Sequence, residues 1–236
     1  MSGRVGSITT PIITDGLVLN LDAANRASYP KTGTIWNDTI NGNNGTLING
    51  PTFDSDNKGS IVFDGVNDYV NLGNNIDFSN YTNGFTISFW VKVLNTTQPQ
   101  KYLFSKLTNA GNDNQFSIVY GYVSNTYELY GGGGGGGANQ NIRTNSQISV
   151  NDTNWHNLTY SVGTTTTGYL DSVVKFTNSY ASLTFVPSTQ NNLLTSFNTL
   201  TRFGNFLISN TQIYNRALSS SEVLHNYNAL KGRFGL

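Results

Sequence analysis

Gly59-Ser-Ile-Val-Phe-Asp-Gly-Val-Asn-Asp-Tyr-Val-Asn-Leu-Gly73, a short polar link, and Phe85-Thr-Ile-Ser-Phe-Trp-Val-Lys-Val93 are the stretch that decides the fold. Ile61 and Phe63 alternate with small or polar neighbours, Asp64-Gly65 makes a turn, and Tyr69, Val70 and Leu72 resume. Phe85, Ile87, Phe89, Val91 and Val93 then alternate with Thr86, Ser88, Trp90 and Lys92. A period of two is the mark of a strand with one buried face. Three strands are therefore expected here.

The same reading extends outward. Upstream, Leu17, Leu19 and Leu21 alternate with Val18 and Asn20 in a first strand ending at Asp22. Residues 23–50 read as a long loop region holding Trp36 and the turn cluster Asn41-Gly-Asn-Asn-Gly45, with Thr46-Leu-Ile48 as a short edge strand. Downstream, Tyr102–Lys106 is a strand, and Phe116, Ile118, Tyr120 and Tyr122 alternate on the next. A turn at Asn125 returns Tyr127–Tyr130 antiparallel. Gly131–Gly137 is an unbroken glycine run, read either as a surface loop or as a backbone that a neighbour approaches closely. Ile142–Val150 is weakly β, and Trp155–Val162 is a clear strand with His156, Leu158, Tyr160 and Val162 on one side. Tyr169–Asp171 and Val173–Phe176 form a hairpin around Asp171-Ser172, Leu193–Phe197 is ambiguous, and Phe203–Tyr214 holds one or two strands.

The end of the chain changes period. Ser219-Ser-Ser-Glu222 fits a capping box. Val223, Leu224, Tyr227 and Leu230 recur at helical spacing, and Gly232 stands where a glycine would stop a helix. A short helix over 220–230 is expected, with Leu218 and Tyr227 holding it to the sheet. The fold class is thus all-β: a two-sheet antiparallel jelly-roll sandwich with one short C-terminal helix. One domain, 15–236, follows an N-terminal arm, 1–14, read as a frayed end or as an arm that docks on a neighbouring subunit.

Composition narrows the function. The chain has 236 residues, 11% of them charged, a formal net charge of zero and no cysteine. A basic stripe is absent, so no nucleic-acid partner is expected. With no thiol, zinc-thiolate sites, cysteine nucleophiles and disulfides fall away. The N-terminus has no apolar leader and no apolar run reaches the ~18 residues of a membrane span, so neither secretion nor a membrane is expected.

Carboxylate pairs are the usual machinery of glycoside hydrolysis. Glu128 and Glu222 are the only glutamates, and Glu222 belongs to the helix cap. His156 and His225 lack metal-ligand spacing. On these grounds the chain is expected not to be an enzyme, with no catalytic residue, no metal site and no cofactor. Calcium is the candidate ion, with Asp64, Asn67 and Asp68 nearest and Asp54 and Asp56 upstream, against a reading of the same residues as turn caps. For a glycan ligand, Tyr120, Tyr122, Tyr127, Tyr130 and Asn139 form a candidate platform of aromatic faces and an amide, against a reading of the same tyrosines as core and edge filling.

Six segments together carry a family resemblance: Gly16-Leu-Val-Leu-Asn-Leu-Asp22, Phe63-Asp-Gly-Val-Asn-Asp-Tyr-Val70, Phe85-Thr-Ile-Ser-Phe-Trp-Val91, Trp155-His-Asn-Leu-Thr-Tyr160, Tyr169-Leu-Asp171 and Gln212-Ile-Tyr-Asn-Arg-Ala-Leu-Ser219. In this order they resemble the laminin-G-like branch of the concanavalin-A-like lectin/glucanase fold. The closing Asn226-Tyr-Asn-Ala-Leu-Lys-Gly-Arg-Phe234 resembles the ends of such domains in tailed-bacteriophage particle proteins. The resemblance implies a virion structural or decoration protein, assembled in the host cytoplasm. Other virion proteins and further copies of the chain, as a homo-oligomer, are its implied partners, along with a host-surface glycan. The alternative is a carbohydrate-binding or adhesin module of a bacterial surface protein. Two departures weaken transfer of a ligand site: Asp171-Ser172 stands where the family has Asp-Gly, and Ser209-Asn-Thr211 where acidic residues are common.

Overall fold

The computed structural model describes residues 11–107, 114–131, 146–179, 185, 187–197 and 200–236. In chain order its strands are β1 (Leu17–Asp22), β2 (Ile35–Trp36), β3 (Gly45–Ile48), β4 (Thr52–Asp54), β5 (Ser60–Asp64), β6 (Tyr69–Asn71), β7 (Phe85–Val93) and β8 (Lys101–Leu107). They continue with β9 (Asn114–Tyr120), β10 (Thr126–Gly131), β11 (Ile148–Ser149), β12 (Trp155–Val162), β13 (Thr166–Leu170), β14 (Val173–Asn178), β15 (Leu193–Leu194) and β16 (Asn205–Tyr214). Among the described residues one α-helix, α1 (Ser220–Leu230), follows.

The strands form two antiparallel sheets. The first runs β14-β13-β12-β7-β16-β5-β4, with β1 also pairing along β16. The second runs β11-β10-β9-β8-β15-β6-β3-β2. β16 serves three partners. Its whole length lies along β7, its first half pairs with β5, and its second half pairs with β1. A bulge between Ile208 and Asn210 makes this possible. There Ser209 donates its hydroxyl to the Gly59 carbonyl at 2.7 Å, and the Ala23 N–H bonds the Ser209 carbonyl at 2.8 Å. An extra residue bends one strand between two neighbours.

The inner faces follow the alternation. Phe85, Ile87, Phe89, Phe206 and Ile213 meet Val70, Phe104, Phe116, Ile118 and Leu129 across the core. Phe78, in a 3₁₀ turn, sits among Phe85, Phe116 and Phe104 at 4.5, 5.1 and 5.8 Å between ring centroids. Each such buried side chain contributes about 1.5–3 kcal/mol. Thr46–Ile48 is not the edge expected of it: β3 lies between β2 and β6, because the long loop supplies the two-residue edge strand at Trp36. The region 203–214 is one strand rather than two. Asp171-Ser172 still makes the tight hairpin, with φ of 53° and 64°. Among the described residues no helix is long and apolar enough to cross a membrane.

The outer face of the first sheet departs from simple amphipathic logic. By register it carries Thr86, Ser88 and Trp90 of β7, Asn157, Thr159 and Ser161 of β12, and Asn210, Gln212 and Tyr214 of β16. These polar positions are buried, because the C-terminal segment lies over them. They are joined to one another and to the covering backbone. The Ser88 and Thr159 hydroxyls are 2.7 Å apart, and Asn157 Nδ2 donates to Ser88 Oγ at 3.2 Å and the Phe89 carbonyl at 3.1 Å. The Leu218 N–H bonds Thr86 Oγ1 at 2.8 Å, and Ser161 Oγ donates to the Leu218 carbonyl at 2.8 Å.

The capping box at Ser219 and Glu222 forms as expected. Arg216 grips Glu222 with both terminal guanidinium nitrogens, at 3.1 and 2.6 Å. Gly232 does not stop the helix. A 3₁₀ turn, Lys231–Arg233, continues through it, and the left-handed glycine is Gly235, at φ 75°. That extra turn carries Phe234 onto Trp90, with ring centroids 4.1 Å apart and planes 11° off parallel. Tyr227 stacks on the same indole at 5.6 Å, and Trp155 flanks Phe234 at 4.9 Å. Pro11–Thr14 rest on the helix: the Ile13 N–H bonds Asn226 Oδ1 at 2.8 Å, and Tyr214 donates its hydroxyl to the Ile13 carbonyl at 3.0 Å. Residues 1–10 lie outside the described residues.

Two outcomes follow from this covering. Phe234→Ala should lower the stability measured by urea unfolding by about 1–3 kcal/mol, with tryptophan fluorescence reporting the exposed indole. An unchanged midpoint would mean that the stack does not hold the segment down. Second, the Arg216 guanidinium and the cap hydrogen bonds hold the Glu222 carboxyl at about 2, below its ordinary 4.5. A depressed carboxyl stabilises above its unfolded value, and the contribution is lost as pH falls through the folded value. Glu222→Gln should therefore flatten the acid limb of a stability–pH curve between pH 4.5 and 2.

Candidate functional site

The covering segment does not close completely over the sheet. A cleft of about 740 Å³ remains between the outer face of β1 and β16 and the end of α1. Asn20, Asp22, Asn210 and Gln212 form its floor, Asn228–Leu230 and Gly232-Arg233 form one wall, and Pro11 and Ile12 form another. Asn25 and Lys58 stand at loops beside it. Ligand sites commonly occupy about 300–1,000 Å³.

Each floor residue arrives there by strand alternation, and each has a defined bonding state. Asn210 is committed: its Nδ2 donates to Asn20 Oδ1 and the Leu21 carbonyl, both at 3.0 Å. Asp22 accepts from Arg233 at 2.7 Å and from the Ala24 N–H at 3.0 Å, so its charge is neutralised. Gln212 differs. It is 2% exposed, its Oε1 lies 3.4 Å from the Tyr214 hydroxyl oxygen, whose proton goes to the Ile13 carbonyl, and its Nε2 has no hydrogen-bond partner. Buried donors are almost always paired, and an orphan costs about 1–3 kcal/mol.

Lys58 is held at the cleft by a constrained turn. Asn57, Lys58 and Gly59 have φ of 53°, 73° and 145°. A side chain at Gly59 would come within 2.6 Å of the Ala23 carbonyl oxygen. Asn57 Nδ2 donates to the Arg233 carbonyl at 3.1 Å, which ties this turn to the opposite wall. Lys58 is exposed, and among the described residues no ion pair joins it to a carboxylate.

The tyrosine platform expected from the sequence is not assembled. Tyr120 and Tyr127 face each other across β9 and β10 on the core side, with rings 4.8 Å apart. Both are buried, so neither offers a face to a sugar. Tyr120 donates its hydroxyl to the Val150 carbonyl at 3.1 Å, and burial pushes it up to about 12. Tyr122 lies beyond the end of β9 in the turn and is 48% exposed. The Tyr130 side chain, Asn139 and the glycine run past Gly131 lie outside the described residues.

The acidic candidates are engaged in turns. Asp64 Oδ1 accepts from the Val66 N–H at 2.8 Å, Asp68 Oδ2 from the Asp64 N–H at 3.2 Å, and Asp54 Oδ1 from the Asp56 N–H at 2.8 Å. Among the described residues no group of three or more His, Asp or Glu side chains is placed to hold a metal ion. Glu128 is buried, accepting from the Val123 N–H at 3.0 Å and the Thr126 hydroxyl at 3.1 Å. His156 lies between two carboxylates, its Nδ1 2.7 Å from Asp171 and its Nε2 3.0 Å from Asp152.

Sequence reasoning missed Gln212, Asn210 and Lys58. The available signal was the apolar Tyr227 and Phe234 near the C-terminus: such residues must cover something, and β16 offered polar outward positions beneath them.

A two-sheet sandwich with a polar cleft on one outer face is a lectin-type architecture. Residues 64–224 match the Laminin_G_3 family, the Concanavalin A-like lectin/glucanases superfamily, and the chain belongs to it. A search among curated protein sequences gives no match. Among solved structures, a Trypanosoma rangeli sialidase in complex with sialic acid aligns with a TM-score of 0.68 at 17% identity, covering 96% of this chain and 36% of that one. A mutant of that sialidase displaying trans-sialidase activity aligns with a TM-score of 0.68 at 14% identity, over 96% and 35%. A botulinum neurotoxin type C, whose cell entry is dependent upon interaction with two ganglioside molecules, aligns with a TM-score of 0.68 at 13% identity, over 91% and 51%. At these identities the likeness shows the fold, and the chain spans about a third of the sialidases and half of the toxin chain.

The sialidase matches overturn the expectation that the chain is not an enzyme. The fold occurs in sialidase chains, one of them with trans-sialidase activity. The expectation rested on a missing carboxylate pair, and sialidases work with a tyrosine nucleophile, so counting glutamates does not address them.

His156 yields a prediction with a definite sign. The Asp171 hydrogen bond, opposed by burial and reinforced by Asp152, raises its pKa above the ordinary 6.5. A raised histidine stabilises fully below its unfolded value, and the contribution is lost as pH rises through the folded value. The urea midpoint of the protein should therefore fall as pH rises from about 6 to 9, and His156→Asn should remove that slope. Equal slopes in the two proteins would show that the two carboxylates do not hold the imidazolium.

Proposed function

We propose that the chain is a glycan-binding component of a tailed-phage particle, a structural or decoration protein that contacts host-surface glycans. The observation that carries glycan binding is the cleft: amides line it, and one buried amide donor within it has no partner. Amides supply both donors and acceptors and so match sugar hydroxyls. Membership of a lectin/glucanase superfamily supports this reading, as do solved neighbours whose ligands are sialic acid and gangliosides. The particle role is supported by the resemblance of Asn226–Phe234 to the ends of phage-particle domains. It is also supported by a surface poor in charge and rich in amides, which suits packing between subunits.

A second reading, an adhesin-type module of a bacterial surface protein, is favoured by one observation: the matched sandwich makes up only a third to a half of the chains that share it. Light scattering on the purified chain, with and without a calcium chelator, separates the two. A closed oligomer is the result expected of a particle component, and a monomer that binds a glycan array is the result expected of a module. A chelator-dependent mass would bring calcium into the assembly. A chain that binds nothing on the array would end the glycan reading in both forms.

A further inference from the structure

We propose that the cleft beside the C-terminal turn is the saccharide site, and that it takes an acidic sugar whose carboxylate meets Lys58 while its hydroxyls meet the floor amides. This rests on the glycan-binding reading and makes it specific.

Among the described residues three charged side chains line the cleft: Asp22, Lys58 and Arg233. Asp22 and Arg233 neutralise each other at 2.7 Å, so Lys58 gives the site its net charge. That lysine is positioned by the backbone. Its φ of 73° is one a side chain rarely adopts, and the turn is tied on both sides, by Asn57 to the Arg233 carbonyl and by Gly59 to Ser209. Strain of this kind persists where surrounding structure enforces it, and it gathers at ligand sites.

Gln212 is the independent mark. Its neighbours on the covered face, Ser88, Asn157, Thr159 and Asn210, bond one another or the backbone, while Gln212 Nε2 bonds nothing. Among the described residues two donors on that face, Trp90 Nε1 and Gln212 Nε2, have no partner, and of the two only Gln212 lines the cleft, where a ligand oxygen could complete it. An apolar side chain would serve stability better at that position. A carboxylate-bearing sugar supplies the acceptor oxygens and the negative charge together, and a neutral sugar leaves Lys58 unused.

The test is titration calorimetry of the full chain with two acidic probes, sialyllactose and trigalacturonate, and two neutral ones, lactose and maltotriose. The expected result is binding of at least one acidic probe, tighter than its neutral counterpart by about tenfold or more. Whichever acidic probe binds more tightly assigns the source as a sialic or a uronic acid. Lys58→Met should abolish the preference for the acidic probe over its neutral counterpart. Gln212→Leu should weaken binding by about tenfold while leaving the urea midpoint unchanged or raised, since it removes an unpaired buried donor. Acidic binding that neither substitution alters would place the site elsewhere and overturn the inference. Equal affinity for neutral and acidic probes would overturn the acidic assignment and leave glycan binding standing. Binding of no probe, together with a silent glycan array, would remove the glycan reading itself.

Discussion

The stacking of Phe234 on Trp90 is the contact on which the rest of the outer architecture depends. Trp90 sits in the middle of a strand face otherwise made of Thr, Ser and Lys. Left to water, that face would be an ordinary solvated surface with one misplaced indole. Two aromatic rings from the end of the chain, Tyr227 and Phe234, make the indole an anchor and bring down a helix, a 3₁₀ turn and the segment Pro11–Thr14 with it. Bringing them down removes water from the polar positions on either side. Every group on that face must then find a partner within the protein.

Most of them do. The serine, threonine and asparagine side chains of β7 and β12 bond each other, and the backbone at Arg216 and Leu218 closes the remainder. Such a network specifies the angle at which the helix lies, because apolar packing alone tolerates sliding and directed hydrogen bonds do not. The same covering leaves the cleft where β1 and β16 run beyond the reach of Tyr227 and Phe234. The scaffold and the candidate site therefore have one origin: a helix held firmly at one end of a polar face and not filling the other.

Much of the architecture was legible in the order of residues. The alternation in β7 and β12 separates core from outer face correctly, and the capping box marks the start of α1 to the residue. Family membership across 64–224 agrees with the resemblance read from six short segments. The site was much less legible. Tyr120 and Tyr127 have the composition of a sugar platform, yet the register that pairs them turns both rings into the core. Alternation tells which residues share a face, and it does not tell which face meets solvent when a later segment returns to cover one. The non-enzymatic expectation failed for a related reason, since it treated one set of residue types as the only route to glycoside chemistry.

The local, short-range patterns of the sequence determined most of the longer strands, the tight turns at Asp64-Gly65 and Asp171-Ser172, the helix with its cap, and the sandwich class. These depend on spacing along the chain and on the backbone preferences of single residues. Only the tertiary structure decided that a polar sheet face would be buried, that Phe234 would dock on its own chain, and that Lys58, Gln212 and Arg233 would share one cleft. Those outcomes depend on contacts between residues as far apart in sequence as Asp22 and Arg233. No periodicity records such contacts, because they form only when the closing segment settles onto the sheet.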